Sequence, residues 1–112
     1  MLFRSVIGLD TYYYEDCSFG PKTPDVPALK KDVREVDPTD LMGFDAIIHL
    51  AALSNDPLGN LDTDLTDQIN HRASVRLAIL AKDAGVRRFL FSSSCSLYGV
   101  AGDAIQIGRA HV

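Results

Sequence analysis

Apolar positions in this chain gather in short runs set between polar stretches bearing glycine and proline. Ser5-Val6-Ile7-Gly8-Leu9 is short, apolar and branched and ends on an acid, which predicts a strand from Phe3 to Asp10. Ala28 to Arg34 reads as a short edge-type strand closing with Asp32 and Val33. Ala46 to Leu50 and Phe89 to Phe91 lack polar alternation, which suits strands covered on both faces, as in a parallel sheet. Between them Leu65, Ile69, Ala73, Leu77, Leu80 and Ala84 recur every three or four residues. That stripe predicts a long helix from Leu61 to Ala84, and Val75, Ala78 and Ile79 widen its apolar arc enough to cover a sheet.

Local signals punctuate these elements. Asp62 is placed to cap the long helix, and Gly85 falls just past its end, where left-handed backbone is favoured. Asp37 followed by Pro38 predicts one helical turn before Met42. Thr11 to Pro27, with Tyr12-Tyr13-Tyr14, Gly20, Pro21, Pro24 and Pro27, reads as a surface loop. The order is therefore strand, loop, strand, turn, strand, helix, strand. A crossover helix joins the last two strands, so they are predicted to be parallel with a right-handed connection. This is half of a doubly wound α/β sheet.

Polar residues collect where the strands stop, and that is where open α/β sheets place their ligands. Phe89-Leu90-Phe91 gives way to Ser92, Ser93, Ser94 and Ser96, which either face a ligand or only bond a turn backbone. Asp10 stands at a strand tip, as a ribose-binding acid would, or as the first residue of an Asx turn. Asp32 and the next backbone N–H suit an adenine edge, although Lys30 and Lys31 beside them equally suit a solvated strand end. His49 within an apolar run reads as a core histidine bonded to a neighbour rather than as a catalyst. Ala51 and Ala52 leave room for a flat group to cross the backbone. Asn70 is a poor helix former inside a helix, so it either faces solvent or bonds something above the sheet.

Composition narrows the function classes. The 112 residues hold 46% hydrophobic and 23% charged side chains, an ordinary balance for a globular chain. A net charge of -4 with scattered basic residues gives no footprint for nucleic acid or an anionic membrane. Cys17 and Cys95 are too few and too far apart for a metal cluster or a disulfide scaffold, so no metal site is expected. With neither a spanning segment nor a signal-peptide pattern, a cytoplasmic protein with a small-molecule partner is expected.

Val6-Ile7-Gly8-Leu9-Asp10, Asp32-Val33-Arg34, His49-Leu50-Ala51-Ala52, Asn70 and Ser92-Ser93-Ser94-Cys95-Ser96-Leu97-Tyr98-Gly99 together resemble the extended short-chain dehydrogenase/reductases. These are the NAD-dependent epimerases and dehydratases acting on nucleotide sugars. The resemblance covers Val6 to Asp103. It implies NAD as cofactor, a nucleotide-sugar substrate, and a parent protein for which a homodimer is open. Asp10 would bind the adenosine ribose, Asp32 and Val33 the adenine, while Leu50, Ala51 and Ala52 pass under the cofactor. Asn70 and Ser92 would lie beside the cofactor, and Ser94 matches the catalytic serine that bonds the sugar oxygen.

Departures from the family pattern matter as much. Cys95 and Ser96 stand where the dehydratases carry Asp-Glu, which favours an epimerase or reductase. No Tyr-x-x-x-Lys pair and no phosphate-binding glycine turn occur in the chain, and Gly102 stands four places after Tyr98. The expected fold is thus a partial Rossmann-type doubly wound parallel sheet over residues 1–105, without the first βα unit or a C-terminal substrate domain. Residues 106–112 are expected to be a non-native tail, because Ile107 to Val112 is what a common sequencing adapter encodes. On this reading the chain is an inactive fragment of a nucleotide-sugar epimerase. A sugar-nucleotide reductase or dehydratase, a non-enzymatic NAD(H)-binding regulator and a complete small α/β binding module are the alternatives.

Overall fold

The structure is a computed structural model that describes residues 5–17, 19–21, 26–54 and 61–94. Strand β1 (Gly8–Asp10) runs parallel to β2 (Ala28–Lys30), pairing Gly8 with Ala28, Leu9 with Leu29 and Asp10 with Lys30. Strand β3 (Ala46–His49) runs parallel to β4 (Arg88–Phe91), pairing Ala46 with Arg88 through His49 with Phe91. Among the described residues the two pairs form separate sheets. The architecture is a partial Rossmann-like α/β fold.

Beyond β2 the chain tightens into a 3-10 turn (Val33–Glu35), because the Asp32 carboxylate accepts from the Arg34 N–H at 2.8 Å. Asp32 and Val33 therefore follow the strand instead of closing it, which corrects the sequence expectation. A side chain that bonds its own backbone two residues on offers that backbone an alternative to a ladder. Helix α1 (Pro38–Leu41) begins with a reciprocal capping box between Asp37 and Asp40. Lys31 bridges both carboxylates, at 3.0 and 2.6 Å. Bonds from Thr39 first and then from Lys31 hold the Asp37 carboxyl down at about 2. Gly43 then takes φ 83°, the left-handed backbone that turns the chain toward β3.

The long helix is interrupted. Helix α2 (Thr63–Asp67) starts on the Asp62 cap, whose carboxylate accepts from the Leu65 N–H at 2.9 Å. A π turn (Gln68–Arg72) follows, then helix α3 (Ala73–Asp83). Gly85 at φ 81° ends it as the sequence predicts. Ala73, Leu77 and Ala81 recur every fourth residue and bury against Val33, Val36 and Leu41, with Leu9, Ile47 and Phe89 packed around them. Arg76 adds a polar tie, donating from Nη1 to the Val36 carbonyl at 2.6 Å.

Two further expectations are corrected by this packing. Val75 and Ile79 are exposed, so the helix covers its neighbours with a narrow stripe and not the wide arc. Among the described residues, strands β3 and β4 are likewise covered on one face only. Ile47, His49 and Phe89 point toward the helix, while Ile48 is 67% and Leu90 51% exposed on the other side. Alternation along a strand sends successive side chains to opposite faces, and no described element lies over the second face. Strand β1 also starts at Gly8, where its pairing with Ala28 of β2 begins. Among the described residues, no helix is long and apolar enough to cross a membrane, and no cluster of histidine, cysteine and acidic side chains could hold a metal ion.

Candidate functional site

Parallel strands bring their carboxyl ends to one side of a sheet, and Asp10, Asp32, Leu50 to Ala52 and Ser92 to Ser94 stand at or just past the ends of the two strand pairs, whereas Asn70 lies in the helix between β3 and β4. Asp10 is the last residue of β1. Its Oδ1 accepts from the Tyr12 N–H at 3.0 Å and from the Thr11 hydroxyl, so the Asx-turn reading holds, and Tyr12 takes φ 59° in that turn. Asp32 lies just past β2. Its carboxylate receives Nε and Nη2 of Arg34 at 3.0 and 2.8 Å. Those bonds hold its carboxyl below the usual range against the opposing effect of burial. Val33 is buried in the core, so only its backbone is placed to meet a ligand.

The ends of β3 and β4 carry the second half of the site. Leu50, Ala51 and Ala52 are exposed directly after His49. Ser92, Ser93 and Ser94 are exposed directly after Phe91, and the Ser92 N–H donates to the His49 carbonyl at 3.1 Å. That bond carries the parallel pairing one residue past β4 and sets the first of the three serines against the end of β3. Cys95, Ser96, Tyr98, Gly99 and residues 106–112 lie outside the described residues.

Asn70 turns out to serve this loop. Its Oδ1 accepts from the Leu53 N–H at 2.8 Å and its Nδ2 donates to the Leu53 carbonyl at 3.0 Å. A side-chain amide thereby does for one loop residue what a neighbouring strand would do. It fixes the segment that carries Leu50, Ala51 and Ala52, and both polar ends of the Asn70 amide are engaged there. Of the two readings left open by the sequence, solvent-facing or bonded above the sheet, the second holds.

His49 is 4% exposed, which bears out its reading as a core histidine. Its Nε2 lies 2.7 Å from the Ser74 hydroxyl, and its ring packs near Phe89 and Phe91 with centroids 6.1 and 5.6 Å away. Burial in that setting pushes the imidazole below its ordinary value of 6.5. Ser74 and Arg76 were not singled out from the sequence. The spacing Asn70-x-x-x-Ser74, two polar residues one turn apart on the buried side of a helix, is the signal that could have drawn Ser74 out.

Small exposed residues at the end of β3, an acceptor at the tip of β1 and hydroxyls past β4 are groups of the kinds that hold a dinucleotide laid across strand ends. The sequence matches the family described as NAD dependent epimerase/dehydratase over residues 5–110. Among solved structures, it is similar to the UDP-N-acetylglucosamine 4-epimerase from Methanobrevibacter ruminantium M1 in complex with UDP-N-acetylmuramic acid. The TM-score is 0.77 at 24% identity, over 96% of this chain and 36% of that one. The chain thus spans about a third of that relative's length. No curated protein matches it.

Proposed function

Since the chain belongs to the NAD dependent epimerase/dehydratase family, we propose that it is the NAD-binding part of a nucleotide-sugar epimerase. The observation that carries this is the position of Asp10 and Asp32 at or just past the carboxyl ends of one parallel strand pair, and of Leu50 to Ala52, Ser92 and Ser94 just past those of the other. Strand order supports it too. In the order 3-2-1-4-5 of a doubly wound sheet, β2-β1 and β3-β4 correspond to 3-2 and 4-5. Strand 1 belongs between them, which accounts for two pairs that are not joined among the described residues.

Each residue then has a task. Asp10 keeps its Oδ2 side for the ribose hydroxyls while Oδ1 holds the turn. The Val33 backbone and the Asp32 carboxylate, steadied by Arg34, meet the adenine edge. Leu50, Ala51 and Ala52 form the floor, kept in place by Asn70. When bound, NAD supplies an acceptor for hydride from a sugar carbon. Ser94 would donate to the hydroxyl oxygen on that carbon, and a fixed donor there steadies the charge that develops while the tyrosine of the Tyr-x-x-x-Lys pair, supplied by the rest of the parent protein, takes the proton. Cys95 and Ser96 provide no carboxylate pair for eliminating water, which favours epimerisation over dehydration. The phosphate-binding glycines and the Tyr-x-x-x-Lys pair would come from the rest of the parent protein.

The test compares this chain with the longest open reading frame recovered around it. With NAD and a panel of UDP-sugars, the 112-residue chain is expected to show no turnover and the longer protein to epimerise at least one sugar. Ser94→Ala in the longer protein should lower kcat by about 100- to 1,000-fold. An unchanged kcat in that variant would overturn the assignment of Ser94.

A further inference from the structure

A buried histidine, a helix serine and the asparagine that grips the loop are in hydrogen-bond contact in series. His49 Nε2 lies 2.7 Å from Ser74 Oγ, and Ser74 Oγ lies 2.9 Å from the Asn70 carbonyl oxygen. A carbonyl only accepts, so the single hydroxyl proton of Ser74 is committed to Asn70. Ser74 Oγ must then accept from the histidine, which requires the proton on Nε2.

The serine bond also bears on the helix. Asn70 lies within the π turn, where the Ala73 N–H reaches back to the Gln68 carbonyl, five residues earlier. Turns of this kind are rare inside α-helices and occur mostly at functional sites. The Ser74 hydroxyl bonds the Asn70 backbone carbonyl within it, a bond that bends a helix locally, and His49 keeps Ser74 oriented. We propose that His49 is a positioning residue: as its Nε2–H form it orients Ser74, and Ser74 sets the turn that aims the Asn70 amide at Leu53. This deepens the epimerase reading, on which its value to catalysis rests, because the aimed loop is the cofactor floor. The link runs from the last residue of β3, out through the helix and back to the loop that β3 feeds.

Two readouts test it, on this chain and on the longer protein. In histidine-labelled protein, long-range nitrogen–proton NMR should show the Nε2–H tautomer for the signal that His49→Gln removes. Ser74→Ala should speed amide exchange at Leu53 about five- to tenfold, the loss expected for one hydrogen bond in series. Ser74→Thr, which keeps the hydroxyl, should restore protection. An Nδ1–H tautomer in the wild type would overturn the proposal, as would Leu53 exchange unchanged by Ser74→Ala. If Ser74→Ala does not fold, the wild-type tautomer decides. Failure of the epimerase reading looks different: the tautomer and the exchange pattern stand, but NAD does not protect the loop.

Discussion

Replacing Asn70 with alanine isolates the grip on the loop. The side chain makes two bonds to Leu53, at 2.8 and 3.0 Å, and both residues are half-buried. Each bond contributes about 0.5–1.5 kcal/mol net, for about 1–3 kcal/mol together. Alanine is the better helix former and returns about 0.5 kcal/mol. A net loss of about 0.5–2.5 kcal/mol is expected, which lowers a urea midpoint by about 1 M at ordinary denaturant slopes. Equilibrium urea unfolding of wild type and variant measures it, with amide exchange at Leu53 as the local reporter. Asn70→Asp sharpens the test. A carboxylate still accepts from the Leu53 N–H but faces the Leu53 carbonyl with no proton to offer, so this variant should regain stability as pH falls and the carboxyl protonates. A cost below about 0.5 kcal/mol for Asn70→Ala, with Leu53 protection intact, would refute the role given to the amide.

Burial lowers the His49 value below 6.5, so below that pH the unfolded chain takes up a proton that the folded chain refuses. Stability should therefore fall as pH drops below 6.5, before the carboxylates titrate, and levels off beneath the folded value; His49→Gln should remove that part of the slope in urea unfolding followed across pH. Leu77 is buried between Ala73 and Ala81 in the only core cluster among the described residues. Leu77→Ala should cost about 2–5 kcal/mol, read as a lowered thermal midpoint, whereas Ile79→Ala on the exposed face of the same helix should change little.

Much of the fold was legible in local pattern. Strand cores at Gly8–Asp10, Ala46–His49 and Arg88–Phe91 centre on the apolar runs, Asp10 and Arg88 adding one polar residue each. Asp62, Asp37 and Gly85 act through neighbours a few residues away, so composition and spacing suffice to read them. The position of the polar segments along the strands was legible too, because each apolar run stops where its strand stops: Asp10 ends β1, and Leu50 to Ala52 and Ser92 to Ser94 directly follow β3 and β4. What the sequence alone left undecided was every feature settled by partners distant along the chain. Asn70 meets Leu53 across 17 positions, His49 meets Ser74 across 25, and Arg76 meets Val36 across 40. The π turn at Gln68–Arg72 likewise leaves no mark in a stripe that reads as ordinary α-helix. Apolar strands likewise announce that both faces want cover, but only the packed chain reveals which face receives it. Propensity and caps act within a turn or two of the backbone, whereas burial and side-chain bonding depend on where the rest of the chain returns.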